Sequence, residues 1–288
     1  MKRDSGKAVR QSAASEPAGA SSQAQSAQAA FVSYAAPLVD RAIEFAHAVR
    51  EDTSPEALHQ LRVSLRRLRS LWWAFDPLVE QAENTRQRAL FKYLAAAAGK
   101  TRDWDILIEL LTQEDSGAQA MAPRLLEVRD GAFTASRETL ANADVKNLLR
   151  DALSSTAKEL NTAHERVPLR KFAARRVDAA QRSLKKRMQR ASRAKRSNYP
   201  AFHDVRKAAK KLRYLLDFFE PVLKGGRKHT MKRLKQIQKR FGALNDVVAS
   251  EGLLRDHTAL LAGLDTGAAL DWLDKERKRR LRTAAGLL

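Results

Sequence analysis

His59-Gln60-Leu61-Arg62-Val63-Ser64-Leu65-Arg66-Arg67-Leu68-Arg69 returns 144 residues later as His203-Asp204-Val205-Arg206-Lys207-Ala208-Ala209-Lys210-Lys211-Leu212-Arg213. The two stretches align without a gap through Phe75 and Phe219 and on to Pro77 and Pro221. Each copy carries a histidine and then cations three, seven and ten positions on. At about 100° per residue these four side chains fall on one stripe of an α-helix. Leu58, Leu61, Leu65, Leu68, Trp72 and Phe75 make an apolar stripe one position earlier, matched by Phe202, Val205, Ala209, Leu212, Leu216 and Phe219. Alternating steps of three and four mark a helix face that seeks a core. The cations therefore line the rim of the buried face, where their stems can pack while their heads point into a groove.

The rest of the chain reads as helix too. Glycine and proline are scarce, and no alternating run bounded by hairpin turns suggests a strand. Helices are predicted at about 31–51, 55–80, 83–98, 103–114, 120–143, 145–164, 170–197, 200–223, 228–241, 246–262 and 266–285. Ser54-Pro55-Glu56 and Tyr199-Pro200 mark the entries to the two duplicated helices. Gly99-Lys100-Thr101-Arg102-Asp103 answers Gly242-Ala243-Leu244-Asn245-Asp246 after a one-residue deletion, and each reads as a junction between helices. Asp103 and Asp246 are expected to cap the helix that follows, with pairing to the stripe's arginines as the functional alternative. The four tryptophans, Trp72, Trp73, Trp104 and Trp272, read as core or contact residues. Residues 1–30, rich in Ser, Ala and Gln, are expected to form a disordered tail. Residues 31–288 then form a duplicated unit, its first repeat at about 31–145 and its second at about 146–288. The fold class expected is all-α, with antiparallel bundles related by a pseudo-two-fold axis.

Charge narrows the function. The chain carries 54 Lys+Arg against 33 Asp+Glu, a formal net of +21. Residues 170–240 hold 25 of the basic residues and only 4 acids, while elsewhere the signs cancel. Such a concentration repels itself and calls for an anionic partner. Cations about 5 Å apart along a helix match the repeat of a phosphate chain, and arginine's planar fork suits each phosphate. The absence of cysteine excludes disulfides and thiolate chemistry. No stretch is apolar enough to span a membrane or head a secretion signal, so a cytoplasmic location is expected. Six histidines without paired acids give no zinc pattern, and residues 170–240 offer only Asp178, Asp204, Asp217 and Glu220 for Mg²⁺. No metal, no cofactor and no catalytic residue is expected: the chain reads as a binding protein, not an enzyme. A nucleic-acid-binding helical protein using the same basic face is the alternative, although no aromatics interleave with the cations as a base-stacking platform needs.

The motif His203-x-x-Arg206-x-x-x-Lys210-x-Leu212-Arg213-Tyr214, its second copy at His59 and the glycine–aspartate elements at Gly99 and Gly242 resemble the CHAD domain (conserved histidine α-helical domain). The resemblance covers about residues 30–288. It implies two four-helix bundles around a basic central pore. It also implies non-catalytic binding of inorganic polyphosphate and targeting to polyphosphate granules. Carried over by motif, binding falls to His59, Arg62, Arg66, Arg69, His203, Arg206, Lys210, Arg213 and Tyr214. Lys207 broadens the stripe, and Lys235 and Lys239, one turn apart before Gly242, are further candidates. The first copy has Ser70 where the motif has tyrosine, so a hydroxyl contact there is weaker or lost; the second copy carries most of the charge, so its half is expected to dominate affinity.

Overall fold

The computed structural model describes residues 25–51, 55–113, 118–195, 198–261 and 264–288. Among them run ten α-helices. The first five are α1 (Ala27–Glu51), α2 (Pro55–Phe75), α3 (Gln81–Ala97), α4 (Lys100–Leu111) and α5 (Ala122–Ala141). The others are α6 (Val145–Thr162), α7 (Leu169–Arg193), α8 (Tyr199–Phe219), α9 (Lys228–Asp256) and α10 (Thr266–Ala285). Extended pairing among the described residues is limited to one isolated bridge, Ser26 to Pro168. No helix among them is long and apolar enough to cross a membrane.

The 144-residue offset reaches the backbone. It relates the bounds of α2 to those of α8, and those of α5 to those of α10. It also relates the 3-10 turns Asp76–Leu78 and Glu220–Val222, where Pro77 and Pro221 end the signature helices. At an offset of 142, α1 corresponds to α7. The helix α6 packs along α1.

Each signature helix packs on its neighbours, α2 on α1 and α3, α8 on α7 and α9, and the two also touch each other. Both apolar stripes are buried: Leu61, Leu65, Leu68, Trp72, Phe75, Val205, Ala209 and Phe219 are sealed from solvent. Full burial of one such side chain contributes roughly 1.5–3 kcal/mol, so these faces fix the orientation of α2 and α8. The duplicated Phe75 and Phe219 meet with ring centroids 5.8 Å apart. Trp72 donates its indole N–H to Thr156 of α6 at 3.1 Å, satisfying a polar group in the core. A second cluster joins Trp104 and Leu107 of α4 to Val247 and Leu254 of α9 and Trp272 of α10.

Three expectations are corrected. The tail reading ends too late: Ala27–Ala30 belong to α1, while residues 1–24 lie outside the described residues. Buried Gln28 explains the earlier start, because it donates to the Glu165 carbonyl (2.8 Å) and accepts from the Val167 N–H (3.1 Å). Helices predicted at 228–241 and 246–262 are one helix, α9. Gly242 weakens a helix locally, but Leu234, Ile237, Phe241, Leu244 and Val247 bury one continuous face through it. Capping is the third correction: Asp103 stands in the first turn of α4 behind Gly99, and Asp246 stands inside α9. Neither caps a helix. Trp73 fits its reading as a contact residue: partly buried, it packs against the core cluster and also carries Arg176 and Lys211 over its ring. The entry cap at Ser54 lies outside the described residues; at the second entry Asn198 accepts from the Ala201 N–H at 3.3 Å.

Candidate anion-binding site

Where α2 and α8 meet, their cationic rims enclose a cleft of about 420 Å³. The first copy supplies Arg62, Arg66, Arg69, Ser70 and Trp73, with Arg88 added from α3. The second copy supplies His203, Arg206, Lys207, Lys210, Lys211 and Tyr214, with Asn245 added from α9. No carboxylate is among the described residues that line it.

The electrostatics follow from gathering cations away from water. Burial pushes the Lys210 ammonium down to about 6, and the charges of Arg66, Arg206, Arg69 and Arg62 reinforce the shift. Burial also lowers Arg62, against the pull of Asp103 and with the push of Arg66, Arg102 and Arg206. Arg206 is lowered by burial, opposed by Asp246 and reinforced by Arg66. Arg66 thus acts on partners in both helices, which places the two stripes face to face.

Two carboxylates stand behind the arginines. Asp103 lies 3.4 Å from Arg62, and Asp246 attracts Arg206 without a hydrogen bond. Loss of solvent raises both carboxyls, opposed chiefly by Arg62 at Asp103 and by Arg206 at Asp246. The ion-pairing role weighed for these aspartates is the one their positions fit. Gly99 makes room on the first side: a Cβ there would overlap the Arg62 guanidinium, 1.3 Å from its nearest nitrogen. An added Cβ at Gly242 would meet nothing within 4 Å.

His203 is held in the cleft by a relay. Tyr199 donates its hydroxyl to Asn245 at 3.0 Å and lies 3.2 Å from His203 Nδ1. Burial lowers the imidazole, and Lys207 and Arg206 lower it further. Tyr214 is buried beside Arg213, whose guanidinium carbon is 4.9 Å from the ring centre.

The cleft thus gathers Arg62, Arg66, Arg69, His203, Arg206, Lys207, Lys210 and Tyr214 from the motif-based set. It does not gather the rest. His59 is not among the lining residues. Arg213 turns to Asp217, 3.1 Å away, rather than into the cleft. Lys235 and Lys239 line a separate surface hollow on α9 with Lys228 and Lys232. Arg88, Trp73 and Asn245 were missed by the motif. Arg88 carried no signal, since it stands on α3, outside both signature helices, and pairs with Asp76 at 3.5 Å.

A family model describing the CHAD domain matches residues 33–255, and the chain belongs to that family. Its structure is similar to that of the CHAD domain from the plant Ricinus communis. The TM-score is 0.78 at 24% identity, over 91% of each chain. It is also similar to PptA from Streptomyces chartreusis, with a TM-score of 0.57 at 14% identity over 91% of this chain and 96% of that one. These two likenesses concern the fold. No curated protein matches the chain.

Proposed function

We propose that the chain binds inorganic polyphosphate in the cleft between α2 and α8, without catalysing its reaction. The observation that carries the reading is a cleft lined by cations from two copies of one helix and by no described acid. Uncompensated charges taken out of water are costly unless an anion joins them. A phosphate chain supplies one charge per unit along its length, and the arginines can take successive phosphates in bidentate fashion. Asp103 and Asp246 would hold Arg62 and Arg206 in place from behind.

In this reading the halves are related by a pseudo-two-fold axis and the cleft is the mouth of a basic pore. Chemistry on phosphoanhydrides would want carboxylates for Mg²⁺ beside the cations, and the described residues of the lining offer none. Recruitment to polyphosphate granules in the cytoplasm is the role that fits a binder of this kind.

The test is a competition titration at near-physiological salt, with labelled long-chain polyphosphate displaced by polyphosphate, duplex DNA or single-stranded RNA. Polyphosphate is expected to compete far better at equal phosphate concentration. Equal competition by nucleic acid would sink the reading. Removing Arg66 and Arg206 together (R66A/R206A) should weaken binding by about 100-fold, on the scale of two lost charge-assisted hydrogen bonds. Removing the same charge outside the cleft (K235A/K239A) should cost only about threefold, as screened surface charge does. Like losses from both pairs would leave only diffuse attraction.

A further inference from the structure

Beside the cleft lies a smaller pocket of about 220 Å³ between α7 and α8. The two spaces share Trp73, Lys207 and Lys211 as a common wall. From α7 come Arg176 and Arg187, three turns apart on one face. The void exists because the facing positions are small: Ala179, Ala180 and Ser183 on α7 look across at Ala208 on α8.

The cations here are held in place before any ligand arrives. Arg176 donates to the Trp73 carbonyl at 2.6 Å, and its guanidinium carbon lies 4.7 Å from the centre of that indole ring. Lys211 sits 4.8 Å from the same ring centre. Arg187 donates to the Ser183 hydroxyl. The Arg176 Nε–H is buried without a hydrogen-bond partner. One acid, Asp204, lines the pocket against four cations. Burial lowers both Arg176 and Lys211, and Arg88 lowers each of them further.

At three of these four cationic positions the first half carries no charge, while Lys211 answers to Arg67. At the 142-residue offset Arg176 and Arg187 correspond to Tyr34 and Phe45, and Ala180 to Leu38. At the 144-residue offset Lys207 corresponds to Val63. The extra cations are therefore no by-product of the duplicated motif.

We propose that the α7–α8 pocket is a second phosphoryl-binding compartment that receives a phosphate chain continuing out of the central cleft past Lys207 and Lys211. The proposal rests on the reading of the cleft as a polyphosphate site. A chain long enough to enter both compartments gains contacts that a short one cannot, so affinity depends on chain length through α7.

The experiment compares tripolyphosphate with long-chain polyphosphate by calorimetry on the full chain. Arg176→Gln with Arg187→Gln should leave tripolyphosphate binding unchanged and cut the long-chain advantage at least about tenfold, the scale of one charge-assisted hydrogen bond. Arg175→Gln with Arg182→Gln removes equal charge from an exposed face of α7 outside both compartments and should keep that advantage. Ala179→Leu, which fills the pocket from its exposed rim at constant charge, should reproduce the loss even if the arginine pair fails to fold. Equal effects of the two arginine pairs, equal weakening of short and long chains, or a neutral Ala179→Leu would overturn the compartment. Failure of the wild-type chain to prefer polyphosphate over nucleic acid would instead remove the cleft reading beneath it.

Discussion

The two signature helices share a motif but hold it differently. In α2 the stripe meets the cleft with arginines only, and Arg62 rests on Gly99 beside Asp103. In α8 the stripe includes Lys210, its histidine is tied to Tyr199 and Asn245, and the supporting helix runs unbroken through Gly242. The difference teaches that one motif can place charge alike on two helices while different neighbours hold it there. One copy uses guanidiniums alone, while the other places an amine among the charges of Arg66, Arg206, Arg69 and Arg62.

The largest effect expected from this contrast lies at Lys210, which stands where the first copy has Arg66. In the unfolded chain the amine keeps its ordinary value of 10.5, and in the folded chain it falls to about 6. Between these values the unfolded chain binds the extra proton, so stability rises with pH across that window. Below pH 6 both states are protonated and the penalty is complete. A bound phosphate favours the ammonium, so polyphosphate binding takes up a proton and affinity falls as pH rises. The slope should approach tenfold per pH unit above pH 6, or about 100-fold from pH 6.5 to 8.5. Lys210→Met should flatten it and remove the proton uptake seen by calorimetry in buffers of different ionisation enthalpy. A slope that survives the substitution places the titrating group elsewhere, with His203→Gln as the next variant to try.

An intermediate effect separates the two glycines. Gly99→Ala must displace the Arg62 guanidinium and crowds the Ala95 carbonyl at 3.0 Å, so polyphosphate affinity should fall about tenfold with a loss of stability of about 1 kcal/mol. Gly242→Ala, inside α9 with open space around it, should leave binding unchanged and stabilise the chain by about 0.5–1 kcal/mol. Thermal melts and titrations on the two variants would show whether glycine serves the cleft in only one half. Equal binding by both variants would refute that asymmetry.

Much of this was legible in the sequence. Periodicity gave the helices and their buried faces, because an apolar stripe at steps of three and four has few other homes. It also gave the opposed cations, since a stripe one residue from the core must lie on its rim. What it missed depends on neighbours that the repeat does not encode. His59 and His203 are in register, yet the counterparts of Tyr199 and Asn245 are Pro55 and Arg102, so nothing equivalent holds His59 in the cleft. Arg213 fits the motif but finds Asp217 one turn on. Lys235 and Lys239 looked adjacent along the chain, but they fall on the outer face of a helix whose buried face is Leu234, Ile237 and Phe241.

The smallest effect tests the last difference, Tyr214 against Ser70. Ser70 donates its hydroxyl back to the Arg66 carbonyl at 2.8 Å, so it is committed to its own helix. The Tyr214 ring stacks on Phe218 at a centroid distance of 6.2 Å, with Arg213 and Lys210 drawn towards its face. A phenyl ring can keep that stacking and much of the attraction for cations. Tyr214→Phe should therefore lower polyphosphate affinity by no more than about threefold, the scale of one neutral hydrogen bond. Tyr214→Ala should cost more in stability, because it empties a buried site beside Phe218. If the phenylalanine variant lost as much affinity as the alanine one, the hydroxyl itself would be a phosphate ligand. The second copy would then exceed the first in ligands as well as in charge, and Ser70→Tyr would be the substitution to try for evening the two.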